Sequence, residues 1–137
     1  MFRTLIIEDS YLYRKLLKET LQARFPKMVI SEANDGEEAL REIEIATPNL
    51  ILMDIRLPGE SGLELTRRIK DRYPEVSIVI LTSYDLPEYR EAASRYKANH
   101  FLSKSSATKE GIISLVESIL SEYHQNKEWK VKYRLLT

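Results

Sequence analysis

Leu50-Ile51-Leu52-Met53-Asp54-Ile55-Arg56-Leu57-Pro58-Gly59 carries four consecutive apolar residues straight into a carboxylate. An apolar run without polar alternation is what a strand covered on both faces requires. The stretch from Val76 to Leu81 reads the same way. Shorter β-branched or apolar runs at Leu5 to Ile7, Met28 to Ile30 and His100 to Leu102 complete a set of five candidate strands.

Segments of helical period lie between the runs. Leu12, Leu16, Leu17 and Leu21 are read as one face, Ala39, Leu40 and Ile43 as another, and Leu65 with Ile69 as a third. Ile112, Ile113, Val116, Ile119, Leu120 and Tyr123 recur at three- and four-residue steps and mark the last helix, for which Thr108 is the expected N-cap. Asp35-Gly36 turns the chain ahead of the second helix, and Pro48 and Pro74 each fall shortly before a strand. Strands alternating with helices predict an α/β fold with a parallel sheet and right-handed crossovers. Beyond Tyr123 the helical pattern breaks, so residues 1–123 are expected to form the domain and 124–137 a tail or linker.

Composition narrows the class. The 137 residues suit one domain, and 43% apolar with 31% charged residues is globular composition. Lys plus Arg number 21 and so do Asp plus Glu, so bulk charge gives no reason to expect a nucleic-acid or membrane surface. The absence of Cys removes thiolate catalysis, thiolate metal sites and disulfides. The first apolar run is closed at once by Glu8 and Asp9, which is no signal peptide, and a soluble cytoplasmic protein is expected.

In open parallel sheets ligands bind beyond the carboxyl ends of the strands. Glu8 and Asp9 follow the first strand, Asp54 the third, Thr82 and Ser83 end the fourth, and Lys104 follows the fifth. Three carboxylates brought together repel one another unless a cation intervenes. An all-oxygen donor set without His or Cys suits Mg²⁺, and a lysine and a hydroxyl nearby suit a transferred phosphoryl group. Taken singly, each residue has a plainer use. Glu8 and Asp9 serve as helix-capping acids, Thr82 as a satisfied strand end, and Phe101 as core.

As a set, the landmarks resemble the receiver domains of two-component response regulators. Leu5-Ile6-Ile7-Glu8-Asp9-Ser10 is similar to that family's opening strand and acidic pair, and Ala33 to Leu40 to its turn into the second helix. Leu52 to Gly59 resembles the acceptor-aspartate strand and loop, and Leu81-Thr82-Ser83 and Phe101-Leu102-Ser103-Lys104 match the last two landmarks. The likeness spans about residues 3 to 121. It implies a flavodoxin-like (βα)5 doubly wound sheet in the order 2-1-3-4-5. It further implies Asp54 as the residue phosphorylated by a sensor histidine kinase, with Mg²⁺ held by Glu8, Asp9, Asp54 and the backbone carbonyl of Arg56. Lys104 and Thr82 would contact the phosphoryl group, Phe101 would act as the switch aromatic, and Arg56 and Tyr84 would occupy positions that tune dephosphorylation.

Ser105 follows Lys104 where many receivers carry Pro, which is compatible with the subgroup attached to NarL/FixJ-type DNA-binding domains. The final Tyr133-Arg134-Leu135-Leu136-Thr137 faintly resembles the start of such a domain. The expected partners are therefore a kinase and an output domain or downstream protein, with no nucleic-acid contact from this domain and no membrane. A homodimer through the face of the fourth helix, fifth strand and fifth helix is a further expectation, with Tyr89, Arg90, Arg95, Tyr96 and Lys97 as candidates. A stand-alone receiver, a pseudo-receiver acting only by protein binding, and a hydrolase of the haloacid dehalogenase type are the competing functions. The hydrolase needs a second Asp two residues after the nucleophile, where this chain has Arg56.

Overall fold

Each apolar run forms a strand in the computed structural model, which describes residues 1–136 and side chains as far as Lys127. The elements run β1 (Arg3–Ile7), α1 (Tyr11–Arg24), β2 (Val29–Ala33), α2 (Gly36–Ile45), β3 (Leu50–Met53), α3 (Gly62–Arg72), β4 (Ser77–Thr82), α4 (Pro87–Arg95), β5 (His100–Ser103) and α5 (Lys109–Leu136). The five strands form one sheet in the order β2-β1-β3-β4-β5, and every neighbouring pair is parallel. This is the flavodoxin-like doubly wound order, with its switch point between β1 and β3.

Residues Met1–Ala107 form one compact unit and Thr108–Thr137 a second. In the first unit β3 is buried at all four positions, and β1 and β4 at all but their first residues. Alternate side chains point to opposite faces. Leu5, Ile7, Ile51, Met53, Ile78 and Ile80 pack with Ala39 and Ile43 of α2, Leu65 and Ile69 of α3 and Ala93 of α4. Each fully buried Leu or Ile contributes about 1.5–3 kcal/mol, which makes this cluster the main source of cohesion. The intervening Ile6, Leu50, Leu52, Val79 and Leu81 are buried as well.

Edge strand β2 is half-buried over four residues and extends through Ser31 and Glu32, beyond the apolar run that announced it. An edge strand can carry polar side chains because one side is wet. In α1 the expected common face divides. Leu17 and Leu21 are buried, whereas Leu12 is 78% exposed and Leu16 54% exposed. The inward face is completed by Arg14 and Thr20, residues that a hydrophobic pattern does not count.

In the second unit Thr108 Oγ1 accepts the Gly111 N–H at 3.0 Å, the expected cap. The helix does not stop at Tyr123 but continues to Leu136. From His124 to Arg134 the sequence has no Gly or Pro and is rich in Lys and Arg, good helix formers that need no apolar stripe. The side chains of Tyr133 to Leu136, and Thr137 altogether, lie outside the described residues. No helix among the described residues is long and apolar enough to cross a membrane.

Candidate functional site

The register of the sheet brings the chemistry-bearing residues together. Ile7 pairs with Met53, so the residues that follow, Glu8 and Asp54, leave the sheet side by side. Backbone bonds fix this edge: the Asp54 N–H donates to the Ile7 carbonyl at 3.1 Å and the Glu8 N–H to the Ala33 carbonyl at 3.0 Å. Thr82 pairs with Ser103, and the Lys104 N–H donates to the Thr82 carbonyl at 2.8 Å.

Lys104 Nζ donates to Glu8 Oε2 at 2.6 Å and to Asp54 Oδ2 at 3.1 Å, bridging residues 96 and 50 positions away. Asp54 Oδ1 accepts the Ile55 N–H at 2.7 Å, and Glu8 Oε1 accepts the Ser10 N–H at 3.2 Å. Glu8 and Asp54 are buried, whereas Asp9 is exposed. Glu8, Asp9 and Asp54 each present a carboxylate oxygen, and the three lie within 4.8 Å of one another.

Burial pushes the Glu8 carboxyl above its usual range, and the Asp54 charge adds to this against the pull of Lys104. Burial alone would lower the Lys104 ammonium, but its bond to Glu8 and the charges of Asp54 and Glu8 outweigh that and hold it above 10.5. The Glu8 shift comes from burial beside a second carboxylate, and the Lys104 shift from the two carboxylates that one ammonium serves. With Asp9 the corner carries three negative charges against one positive, a formal excess of two.

Thr82 is fully buried, and its Oγ1 accepts the Tyr84 N–H at 3.2 Å. Arg56 stacks over the Tyr84 ring at 4.2 Å and makes a bridge with Ser61 in the loop after β3. Phe101 is half-buried against the core. Arg90 lies over its ring at 4.6 Å and is itself held by Asp85 at 2.5 and 3.1 Å. Tyr89 and Tyr96, expected on an interaction surface, pack partly into the same core. All described peptide bonds are trans, Lys104–Ser105 included, and Ser103 and Ser105 hydroxyls lie 2.8 Å apart.

Three contributors escaped sequence reasoning. A Cβ at Gly62 would fall 2.0 Å from the Asp54 carbonyl oxygen, so only glycine lets α3 begin against that backbone. Arg14 reaches inward from α1 to donate to the Glu8 carbonyl at 2.6 Å and Asn34 Oδ1 at 2.7 Å, bracing the corner after β1. Tyr13 sets its ring face 4.2 Å from the Lys104 ammonium. None is flagged by pattern: an isolated Gly, Arg or Tyr beside a helix start has many commoner uses.

A doubly wound parallel sheet whose carboxyl edge gathers three carboxylates and one lysine defines a flavodoxin-like α/β domain with an acid-rich corner. The chain belongs to the response regulator receiver domain family, whose family model matches residues 4–117. It is 34% identical over 99 residues to the transcriptional regulatory protein DegU of Brevibacillus brevis, covering 72% of this chain and 42% of that protein. It is 43% identical over 82 residues to protein-glutamate methylesterase/protein-glutamine glutaminase 3 of Hahella chejuensis (strain KCTC 2396), covering 60% of this chain and 23% of that one. The chain thus spans less than half the length of these relatives. Among solved structures, the Mn²⁺-bound form of response regulator Rcp1 superposes with a TM-score of 0.75 at 26% identity, over 90% of this chain and 94% of that one. The chain is therefore a receiver domain of two-component response regulators, a class in which some members have transcriptional output.

Proposed function

We propose that this domain is a phosphorylation switch in which Asp54 accepts a phosphoryl group from a sensor histidine kinase or a small phosphodonor. The observation that carries the reading is the meeting of Lys104 with both Glu8 and Asp54 at the carboxyl edge of the sheet. One Asp54 carboxylate oxygen forms a bond to phosphorus as the bond from phosphorus to the donor atom breaks, a nitrogen in phosphohistidine and an oxygen in an acyl phosphate. The bonding pair leaves on that atom. The Lys104 ammonium, already 3.1 Å from Asp54 Oδ2, neutralises charge on the incoming oxygens. Thr82 contributes its hydroxyl, whose lone pair serves Tyr84 and whose proton is left for a phosphoryl oxygen.

The donor set fits a divalent cation. Three carboxylate oxygens within 4.8 Å, without nitrogen or sulfur, suit Mg²⁺, and the formal excess of two negative charges matches its charge. Glu8, Asp9 and Asp54 would hold it with the Arg56 carbonyl, and it would supply charge neutralisation at the transferring group. The Mn²⁺ named for Rcp1 supports a divalent ion in a relative of the same fold.

Phosphorylation adds roughly 1.5 to 2 negative charges and three acceptor oxygens. Thr82 moves toward them, Phe101 turns into the space vacated, and the surface of α4 and β5 changes for an output domain, a downstream protein or a second copy. Both states pre-exist, since phosphate only biases an equilibrium by differential interaction. Arg56, two residues after Asp54 and stacked on Tyr84, offers no general acid at neutral pH, which weighs against a hydrolase.

Acetyl phosphate with Mg²⁺ should put an alkali-labile phosphate on the parent chain and none on Asp54→Asn. Mass spectrometry of the intact protein reads the adduct, and an alkali-labile adduct on the variant at the parental level would remove Asp54 as acceptor.

A further inference from the structure

Lys104 has a third neighbour besides its two carboxylates. Tyr13, in the first turn of α1, lies with its ring 4.2 Å from Nζ. The backbone of Tyr13 is fixed independently, because its N–H donates to the Ser10 cap hydroxyl at 3.4 Å. The half-buried ring therefore comes from a secured helix start. We propose that Tyr13 is a positioning residue of the acceptor site, its ring face holding the Lys104 ammonium beside Asp54 throughout phosphoryl transfer. This rests on the reading of Asp54 as acceptor and Lys104 as its phosphoryl contact.

A lysine head on a four-carbon stem swings to solvent unless several partners define its place. Glu8 and Asp54 hold it by charge, and both attractions change during the reaction. Asp54 loses its carboxylate charge on forming the acyl phosphate, and a divalent ion competes with the ammonium for the same oxygens. The attraction of a cation to an aromatic face needs no ionised partner, so it persists through both changes. Lys104, with its side chain 14% exposed, is placed before the donor arrives.

The test uses the full chain with Mg²⁺ and acetyl phosphate. Tyr13→Leu should label Asp54 roughly five- to tenfold more slowly, the ratio expected for losing one partly desolvated cation–ring contact. Tyr13→Phe, which keeps the face, should recover most of the parental rate. Mg²⁺ affinity by calorimetry should stay within about twofold, since a ring is no ligand. A donor-free readout is the Lys104 ε-methylene proton resonance, shifted upfield by the ring in the parent and Tyr13→Phe and returned to an ordinary lysine value in Tyr13→Leu. If Tyr13→Leu does not fold, Tyr13→Met, of similar volume and without a face, carries the same comparison. A parental labelling rate in the ring-free variant, with an ε-methylene resonance that does not change between it and the parent, overturns the proposal alone. An equal loss in Tyr13→Phe overturns it too, by transferring the role to the hydroxyl. No label on the parent chain overturns the acceptor reading and this proposal with it.

Discussion

Glu8 and Asp54 share one cation, Lys104, which leaves the buried corner with an excess of negative charge. Lys104 is held above 10.5 despite its burial, chiefly by the Glu8 bond and then by the charges of Asp54 and Glu8. A folded value raised above the unfolded one adds stability that is complete below the unfolded value and is lost as pH rises through the folded value. Tyr13, raised above 10.0 by its burial, acts with the same sign, whereas Lys70, lowered by burial, acts oppositely. In EDTA, the urea stability of the parent should therefore fall more steeply than that of Lys104→Met as pH passes upward through 10.5. Parallel curves would mean that the ammonium is not tied to the carboxylates in the folded state. Gly62 sets a steric condition at the same corner. Gly62→Ala should cost at least ~3 kcal/mol in urea unfolding, because the added carbon meets backbone at 2.0 Å and backbone cannot rotate away. A cost below about 1 kcal/mol would show that the α3 start can retreat from Asp54.

At the scale of elements, α1 shows what periodicity does and does not reveal. Leucines at 12, 16, 17 and 21 satisfy a helical template, and the template correctly predicts a helix. It cannot orient that helix, since residues 16 and 17 lie about 100° apart around the axis and either row can face inward. The core takes Leu17 and Leu21, and Arg14 joins them because its guanidinium finds the Glu8 carbonyl and Asn34 there. Leu21→Ala should thus destabilise by about 2–5 kcal/mol, and Leu12→Ser by less than about 0.5 kcal/mol. Thermal or urea melts of the two variants decide it, and equal costs would return Leu12 to the buried face. Strand β3 was legible to the residue, whereas β1 begins earlier than its apolar run, at Arg3, and β2 was least legible, because an edge strand admits Ser31 and Glu32. The continuation of α5 beyond Tyr123 escaped for the opposite reason: polar helix formers sustain a helix without the apolar stripe that marks one.

For the molecule as a whole, the excess negative charge at the carboxyl edge links ion binding to folding. A cation that binds only the folded chain stabilises it in proportion to the logarithm of its concentration above the dissociation constant. Millimolar Mg²⁺ should raise the melting temperature of the parent by a few degrees and leave Asp9→Asn nearly unmoved. A parent that melts at one temperature with and without Mg²⁺ would remove the ion from the proposed site. From residue order alone followed the alternation of strand and helix, the five strands, the parallel α/β class and the particular carboxylates, hydroxyl and lysine standing at strand ends. These are local properties: period, apolar runs and the residue that terminates each run. The strand order followed from the family resemblance and from no local pattern, whereas the register of Ile7 with Met53 and of Thr82 with Ser103 belongs to tertiary structure, as do the reach of Lys104 across 96 positions to Glu8 and the insertion of Gly62, Arg14 and Tyr13. Such contacts arise from packing between segments far apart in sequence, and no single segment carries a record of which neighbour it will meet.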